Sequence, residues 1–284
     1  MKKILSMALA VLMIAGCALS FASCQKQELN FGKSFSALDS QMDVLLQLNA
    51  ESIDVGVMDS VMAGYYMSQD STYADKLMIV EDLVLATEQY GIAARKGSGL
   101  AKAINMALIE LAKNGTVDTI ADKYGVKSEI CIDKTATVAE FTEAEKEDLE
   151  YIEGKGKFIV GYTLFAPIAY KNDQDKLVGF DIELAEAVAD FLEIDVEFKI
   201  INWNTKEAEL SSKTIDCIWN GMTITEERQA AMEISIPYMN NKQVAVIRKA
   251  DKDLYKTTDD MKKAIIGAED GSAGMSCVVV EDAE

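Results

Sequence analysis

Apolar and polar positions alternate along the chain in two spacings. Short runs rich in β-branched and apolar residues are typical of strands, and the segments between them carry apolar residues at helical spacing. The predicted strands are residues 53–57, 158–162, 196–200, 215–219 and 243–247, and the predicted helices are 61–67, 100–111, 182–192 and 206–210. Strands that alternate with helices predict an α/β fold with mostly parallel sheets flanked by helices. Two such sheets joined by a two-strand hinge form a two-lobed clamp, with ligands at the strand ends between the lobes.

The N-terminal pattern predicts an export signal over residues 1–24. Lys2 and Lys3 precede an apolar run, residues 4–16, that is short for a bilayer span. Cys17 and Cys24 each follow small residues, as in a bacterial lipidation site, and polar residues directly follow Cys24. We therefore expect lipid attachment at Cys24, with Cys17 as the alternative site. An uncleaved membrane anchor or plain secretion remains the other interpretation.

Composition narrows the function classes. The net charge of −19 disfavours nucleic acid and anionic membrane surfaces as partners. The chain has no histidine, which excludes Ser-His-Asp and Cys-His catalytic pairs and removes the commonest zinc ligand. No glycine-rich phosphate loop follows a strand. We accordingly expect no catalytic residues, no metal and no cofactor, and the spacing of Cys131, Cys217 and Cys277 predicts buried free thiols.

One group of candidate binding residues follows the predicted strand 215–219. A strand ending at Trp219 would leave an irregular segment in which backbone carbonyls and Thr223 could hold an ammonium or amide. The planar fork of Arg228 could bind an α-carboxylate. The competing interpretation is a surface arginine that pairs with Glu226 or Glu227.

Other candidates lie at strand ends elsewhere in the chain. The ring of Phe165 could cover a ligand's aliphatic stem, or could simply belong to the core. Asp59 could accept from a ligand's α-ammonium, or could cap the following helix. Gly271 and Ser272 form a turn whose backbone N–H groups could face a carboxylate, while Ser272 could equally be a helix cap.

Seven segments together carry a family resemblance that covers about 200 of the 284 residues. The later segments resemble the first lobe of the polar amino-acid solute-binding proteins that feed ABC importers. The earlier segments resemble the second lobe and the C-terminal helices of the same family. The later segments are residues 158–170, 177–192, 215–228 and 237–238, and the earlier ones are 53–67, 90–111 and 114–125.

The two groups of segments occur in the reverse of the family order, so we interpret the chain as circularly permuted. Residues 265–284 resemble the start of lobe two, whose continuation would be residues 29–57. A fragment of two tandem copies is the alternative. The predicted domains are residues 29–90 and 245–284 for lobe two, 91–127 and 151–244 for lobe one with the C-terminal helices, and 128–150 for an acidic linker joining the original termini.

The resemblance assigns roles to the candidate residues. It places Arg228 and Thr223 at carboxylate-binding positions, Asn220 or Gly221 at a carbonyl position, and Phe165 at the aromatic lid. Asp59, Gly271 and Ser272 complete the ligand-binding set from the second lobe. Ala273 departs from the hydroxyl residue usual in the family, so one carboxylate hydrogen bond would be lost or supplied by backbone.

The resemblance also implies a function. We expect a non-enzymatic, monomeric receptor that captures a polar amino acid by rotation about residues 88–93 and 240–246 and delivers it to an ABC transporter permease. It would be exported, and lipid-anchored at the outer face of the cell membrane or periplasmic. Tyr162 favours a neutral side chain such as that of glutamine. The alternatives are a lyase or dehydratase that uses Glu269 and Asp270, and a rearranged fragment that binds nothing.

Overall fold

The computed structural model describes residues 28–69 and 71–280. The strands are β1 (Ser34–Leu38), β2 (Val55–Asp59), β3 (Leu77–Ala94), β4 (Lys157–Tyr162), β5 (Tyr170–Lys171), β6 (Leu177–Val178), β7 (Asp195–Ile200), β8 (Cys217–Thr223), β9 (Glu233–Ile234), β10 (Met239–Arg248) and β11 (Ile265–Glu269). The helices are α1 (Gln41–Asn49), α2 (Ser60–Gln69), α3 (Ser71–Ala74), α4 (Leu100–Lys113), α5 (Thr116–Tyr124), α6 (Glu143–Lys155), α7 (Phe180–Leu192), α8 (Lys206–Ser211), α9 (Glu226–Ala231) and α10 (Ala273–Val278).

The main sheet has parallel ends and an antiparallel centre. Its strand order is β1-β11-β2-β10-β3-β8-β4-β7, and β9 pairs with β3. The parallel strands β4, β7 and β8 form the sheet of lobe one, and β1, β2 and β11 form that of lobe two. The long strands β3 and β10 pair antiparallel between them and cross from one lobe to the other. The fold is therefore the two-lobed α/β clamp that the alternation of strands and helices predicts.

The beginning and the end of the described chain share one sheet. β1 and β11 pair in parallel from Ser34 with Ile265 to Leu38 with Glu269. A further bridge joins Leu29 to Val279. Lobe two is thus assembled from both ends of the chain, which is the adjacency that the segment order led us to expect.

Helical periodicity explains how α4 covers lobe one. Leu100, Ile104, Leu108 and Leu111 recur at intervals of three and four, and all are buried. They belong to an apolar cluster that runs from α1 through the crossing strands to α7. Burial of this apolar surface is the main force that holds the helices on the sheet.

The acidic segment before lobe one contains a docked helix. α6 lies against lobe one through an ion network in which Asp216, fully buried, accepts from Arg95 at 3.1 Å and from Lys155 at 2.6 Å. Arg95 also contacts Asp148 of α6 at 3.1 Å. The helix continues to Lys155, beyond the predicted linker of residues 128–150.

The strand predicted over residues 215–219 and two of the three thiols differ from the sequence predictions. β8 does not end at Trp219 but continues to Thr223, because its last residues pair with β3. Cys217 is a buried free thiol, but Cys131 and Cys277 are partly exposed, so the prediction of burial was wrong for those two. The proposed lipidation sites Cys17 and Cys24 lie outside the described residues. Within residues 28–69 and 71–280, no helix has the length and apolar character to cross a membrane.

Candidate functional site

A small cavity lies between the two lobes, with a volume of about 20 Å³. A space of that size holds roughly one water molecule, so the lobes must part before an amino acid can enter. Seven of the eight predicted ligand-binding residues line it, and Gly271 does not: the seven are Asp59, Phe165, Asn220, Gly221, Thr223, Arg228 and Ser272. The other lining residues are Gln41, Thr163, Leu164, Trp203, Gln243, Glu269 and Ala273.

Arg228 points from the start of α9 into the cleft. Its side chain is 9% exposed, and its guanidinium donates to the Thr223 carbonyl at 2.9 Å and to the Gly271 carbonyl at 3.3 Å. Within the part of the chain that the structure describes, it forms no ion pair with Glu226 or Glu227. The interpretation as a paired surface arginine was therefore wrong. Burial lowers the pKa of Arg228, and the remaining N–H groups of its fork are available to a carboxylate.

Lys206 is a second buried cation beside Arg228, and it was not predicted from the sequence. Its ammonium donates to the Trp203 carbonyl at 3.2 Å and to the Gly271 carbonyl at 3.4 Å, and it lies 4.9 Å from the centre of the Trp203 ring. Burial lowers the pKa of Lys206 to about 8. Two cations of lobe one thus converge on one carbonyl oxygen of lobe two.

This arrangement corrects the expectation for Gly271. The turn presents the Gly271 carbonyl to lobe one, whereas the sequence suggested that its N–H would face a ligand carboxylate. The backbone of Gly271 has φ +67°, a left-handed conformation that favours glycine, and its N–H lies 3.4 Å from the sulfur of Met275. Ser272 caps α10, since its Oγ accepts from the Met275 N–H at 3.1 Å.

Asp59 is the carboxylate of lobe two in the cavity. It ends β2, is 5% exposed, and accepts from Tyr90 Oη at 2.9 Å and from Gln243 Nε2 at 2.8 Å, with further amide donors from Gln41 and Asn241. Burial, and then the neighbouring Glu88, raise the pKa of Asp59 well above its ordinary value.

The residue that caps α2 is Asn241 rather than Asp59. Asn241 Oδ1 accepts from the Val61 N–H at 3.2 Å and from Ser60 Oγ at 3.0 Å. The helix-cap interpretation of Asp59 was therefore wrong, and its carboxylate is turned into the cluster at the cleft.

Phe165 and Gly221 form the opposite wall. The Phe165 ring is 4% exposed and meets the Tyr90 ring edge to face at 6.5 Å, so it belongs to the core and lines the cavity at once. Gly221 has φ +60°, and a Cβ there would lie 2.7 Å from the Phe165 ring. Its N–H donates to Asp181 Oδ2 at 2.9 Å and lies 3.2 Å from Tyr238 Oη. This bulge, held from below by Asp181, is the irregularity that the sequence placed after Trp219.

Asn220 is paired within lobe one. Its amide oxygen accepts from Thr163 Oγ1 at 2.7 Å and its amide nitrogen donates to the Thr163 carbonyl at 3.0 Å. The pair ties the end of β4 to β8 and fixes the wall on which Phe165 sits.

Glu269 and Asp270 differ in their surroundings. Glu269 ends β11, lines the cavity and is 5% exposed, and its burial raises its pKa to about 8 against the opposing effect of Lys206. Asp270 is partly exposed and accepts from Asn204 Nδ2 of lobe one at 2.7 Å. Only Glu269 of this pair lies in the cavity.

Sequence reasoning missed the amide side chains around Asp59. Asn241 and Gln243 are polar residues two apart in strand β10, and both are buried. Strand periodicity puts positions 241 and 243 on the same face, which is the signal that could have identified them.

Parts of the chain are similar to known amino-acid-binding proteins. The L-cystine-binding protein TcyJ of Escherichia coli is 31% identical over 125 residues, which are 44% of this chain and 47% of that protein. The arginine-binding extracellular protein ArtP of Bacillus subtilis is 32% identical over 120 residues, 42% of this chain and 46% of that protein. The chain therefore spans about half the length of the relatives it matches.

A solved structure and a family profile also match parts of the chain. A variant of the arginine-bound domain 1 of TmArgBP, from T. maritima, is 30% identical and covers 40% of this chain and 92% of that chain, with a TM-score of 0.32. Residues 158–269, which include Phe165, Arg228 and Glu269, match the profile of the bacterial extracellular solute-binding proteins, family 3. This part of the chain is therefore similar to that family.

Proposed function

We propose that this protein is the extracytoplasmic substrate-binding component of an amino-acid ABC transporter and captures a polar amino acid by closure of its two lobes. One observation carries the proposal: Arg228 of lobe one and Asp59 of lobe two line the same buried cavity. A cation and a carboxylate on opposite walls match the two charged ends of a free amino acid.

Each end of the ligand has its own group of residues. The α-carboxylate would take the remaining N–H groups of Arg228 together with the hydroxyl of Thr223. The α-ammonium would take Asp59. The Phe165 ring would cover the side chain. All four residues are buried in the closed cleft, where charge-assisted hydrogen bonds are stronger than in water.

Closure of the lobes would exclude water from the ligand. Among the strands of residues 28–69 and 71–280, β3 and β10 are the long ones that cross between the two sheets, so rotation would concentrate in them. The closed state is supported across the cleft by the hydrogen bond from Asn204 to Asp270 and by contact of the Tyr65 and Tyr170 rings at 5.8 Å. A transporter permease would recognise this closed form.

The segment order is part of the proposal. We infer that the chain is a circular permutation of the family domain, with its lobe boundaries as expected from the sequence and with residues 128–150 joining the original termini. The parallel pairing of β1 with β11 supports this, because it returns the two ends of the chain to one sheet. Export and a lipid anchor at Cys24 or Cys17, with the receptor acting as a non-enzymatic monomer, complete the assignment.

A screen of the twenty amino acids against the purified chain tests the function. Thermal shift and titration calorimetry should find at least one ligand with a Kd near the micromolar range, about −8 kcal/mol. The amino acid should be recovered unchanged after incubation. Product formation would instead support the lyase, and the absence of any binding would support the non-binding fragment.

A further inference from the structure

A second carboxylate lies directly beside Asp59. Glu88 of β3 and Asp59 of β2 accept from the same two amides of β10. Asn241 Nδ2 donates to Asp59 Oδ1 and to Glu88 Oε1, and Gln243 Nε2 donates to the same two oxygens at 2.8 Å and 2.9 Å. The shared donors hold the two carboxyl groups side by side.

Two carboxylates in such contact do not both ionise readily in a buried site. Like charges held on the same donors repel each other, which favours a proton in this site. Asp59 is 5% exposed, and its burial and the nearness of Glu88 both favour its protonated form. Glu88 is half-buried and lines a cavity of about 550 Å³ at the outer mouth of the cleft, so a proton has a route to solvent.

Several other titratable groups surround this pair. Tyr90 on β3 donates to Asp59, and its pKa is raised well above the ordinary value, so it keeps its proton. Burial raises the pKa of the Cys277 thiol on α10 to about 11. The side chain facing Asp59 from α1 is the uncharged Gln41. Arg228 on α9 is the facing cation, and Glu269 on β11 is the other carboxyl of the cavity.

We propose, building on the function above, that Asp59 and Glu88 hold one proton between them and release it to solvent when a ligand's α-ammonium binds. The ammonium brings one positive charge and the departing proton removes one, so the net charge of the site is unchanged. No covalent bond of the ligand forms or breaks. The acceptor site for the ammonium is therefore a carboxylate pair, with Glu88 as its second member.

An unpaired oxygen supports this placement. Both carboxylates accept hydrogen bonds from the NH₂ group of Gln243, and these bonds fix the orientation of its amide. Gln243 lines the cavity and is 1% exposed, and its Oε1 has no hydrogen-bond partner among residues 28–69 and 71–280. A buried acceptor without a donor costs free energy, and an ammonium N–H is the donor that this site lacks.

Titration calorimetry in buffers with different ionisation enthalpies measures the proton directly. The binding enthalpy should vary with the buffer by an amount that corresponds to release of about one proton per ligand near neutral pH, and affinity should rise with pH. Glu88→Gln keeps an oxygen for the amide donors but removes one carboxylate, and should lose most of the proton release. Glu227→Gln, which changes an exposed acid at the same mouth, should release protons like the parent protein.

The outcomes separate this inference from the proposed function. Binding with an enthalpy that is the same in every buffer would overturn the shared proton and leave the receptor function standing. Equal proton release by the parent and Glu88→Gln, with matching thermal unfolding midpoints, would also overturn it. Failure of every amino acid to bind the parent would overturn the function itself and this inference with it.

Discussion

Truncation of Arg228 gives the most direct test of how the cleft binds a ligand. The guanidinium is 9% exposed and two of its N–H groups are already used on the carbonyls of Thr223 and Gly271, so its other N–H groups are free to bind a carboxylate. Two charge-assisted hydrogen bonds at about 1.5 kcal/mol each amount to about 3 kcal/mol. Arg228→Ala should therefore weaken amino-acid binding roughly 150-fold.

Calorimetric titration of the parent and the variant with the same amino acid measures this loss. Arg228→Lys serves as a control, since it keeps the charge but cannot make the two-pronged contact, and its affinity should lie between the other two. Arg228 has no ion-pair partner within the described chain, so neither change should lower the thermal unfolding midpoint by more than a few degrees. A loss in affinity below about tenfold in a folded Arg228→Ala protein would refute the assignment of the carboxylate to this residue.

Three further changes test the scaffold and the closure. Asp216→Ala leaves two cations without their buried carboxylate and should lower the free energy of unfolding by about 3 kcal/mol or more, as measured by urea titration. An unchanged unfolding midpoint would contradict the role of the ion network. Burial raises the pKa of Asp181 from 3.8 to about 7, so the folded protein keeps a proton that the unfolded chain loses, and the unfolding free energy should fall as the pH rises across this interval. Asp181→Asn should make that fall shallower, as followed by chemical denaturation at several pH values, and an identical slope would argue against it. Asn204→Ala removes the 2.7 Å hydrogen bond to Asp270 across the cleft and should weaken ligand binding about fivefold, with a larger radius of gyration in X-ray scattering without ligand. Unaltered scattering and affinity would show that this bond does not hold the lobes together.

Charge is divided between the walls of the cleft. Lobe one contributes the cations Arg228 and Lys206, and lobe two contributes the carboxyl groups Asp59 and Glu269. In the proposed function, this division would orient an amino-acid zwitterion across the cleft.

Local sequence patterns and the family resemblance predicted the elements and most of the cavity wall. Apolar periodicity identified helices such as α4 and α7, and the order of family-like segments placed Arg228, Phe165 and Asp59 in the cleft. Local rules were enough here, because strand ends and helix starts of an α/β lobe all open toward one edge of the sheet. The end of β8 was misjudged because its last residues are extended by pairing with β3, which lies far away in the chain.

Which polar groups meet inside the cleft depends on the packing of segments that are distant in the chain. Asn241 and Gln243 reach Asp59 across more than 180 positions of sequence, and Lys206 meets the Gly271 carbonyl from the opposite lobe. Strand alternation says which face a side chain takes, but not which strand will lie beside it. The juxtaposition of Asp59 and Glu88 therefore follows from the register of β2 and β3 on either side of β10.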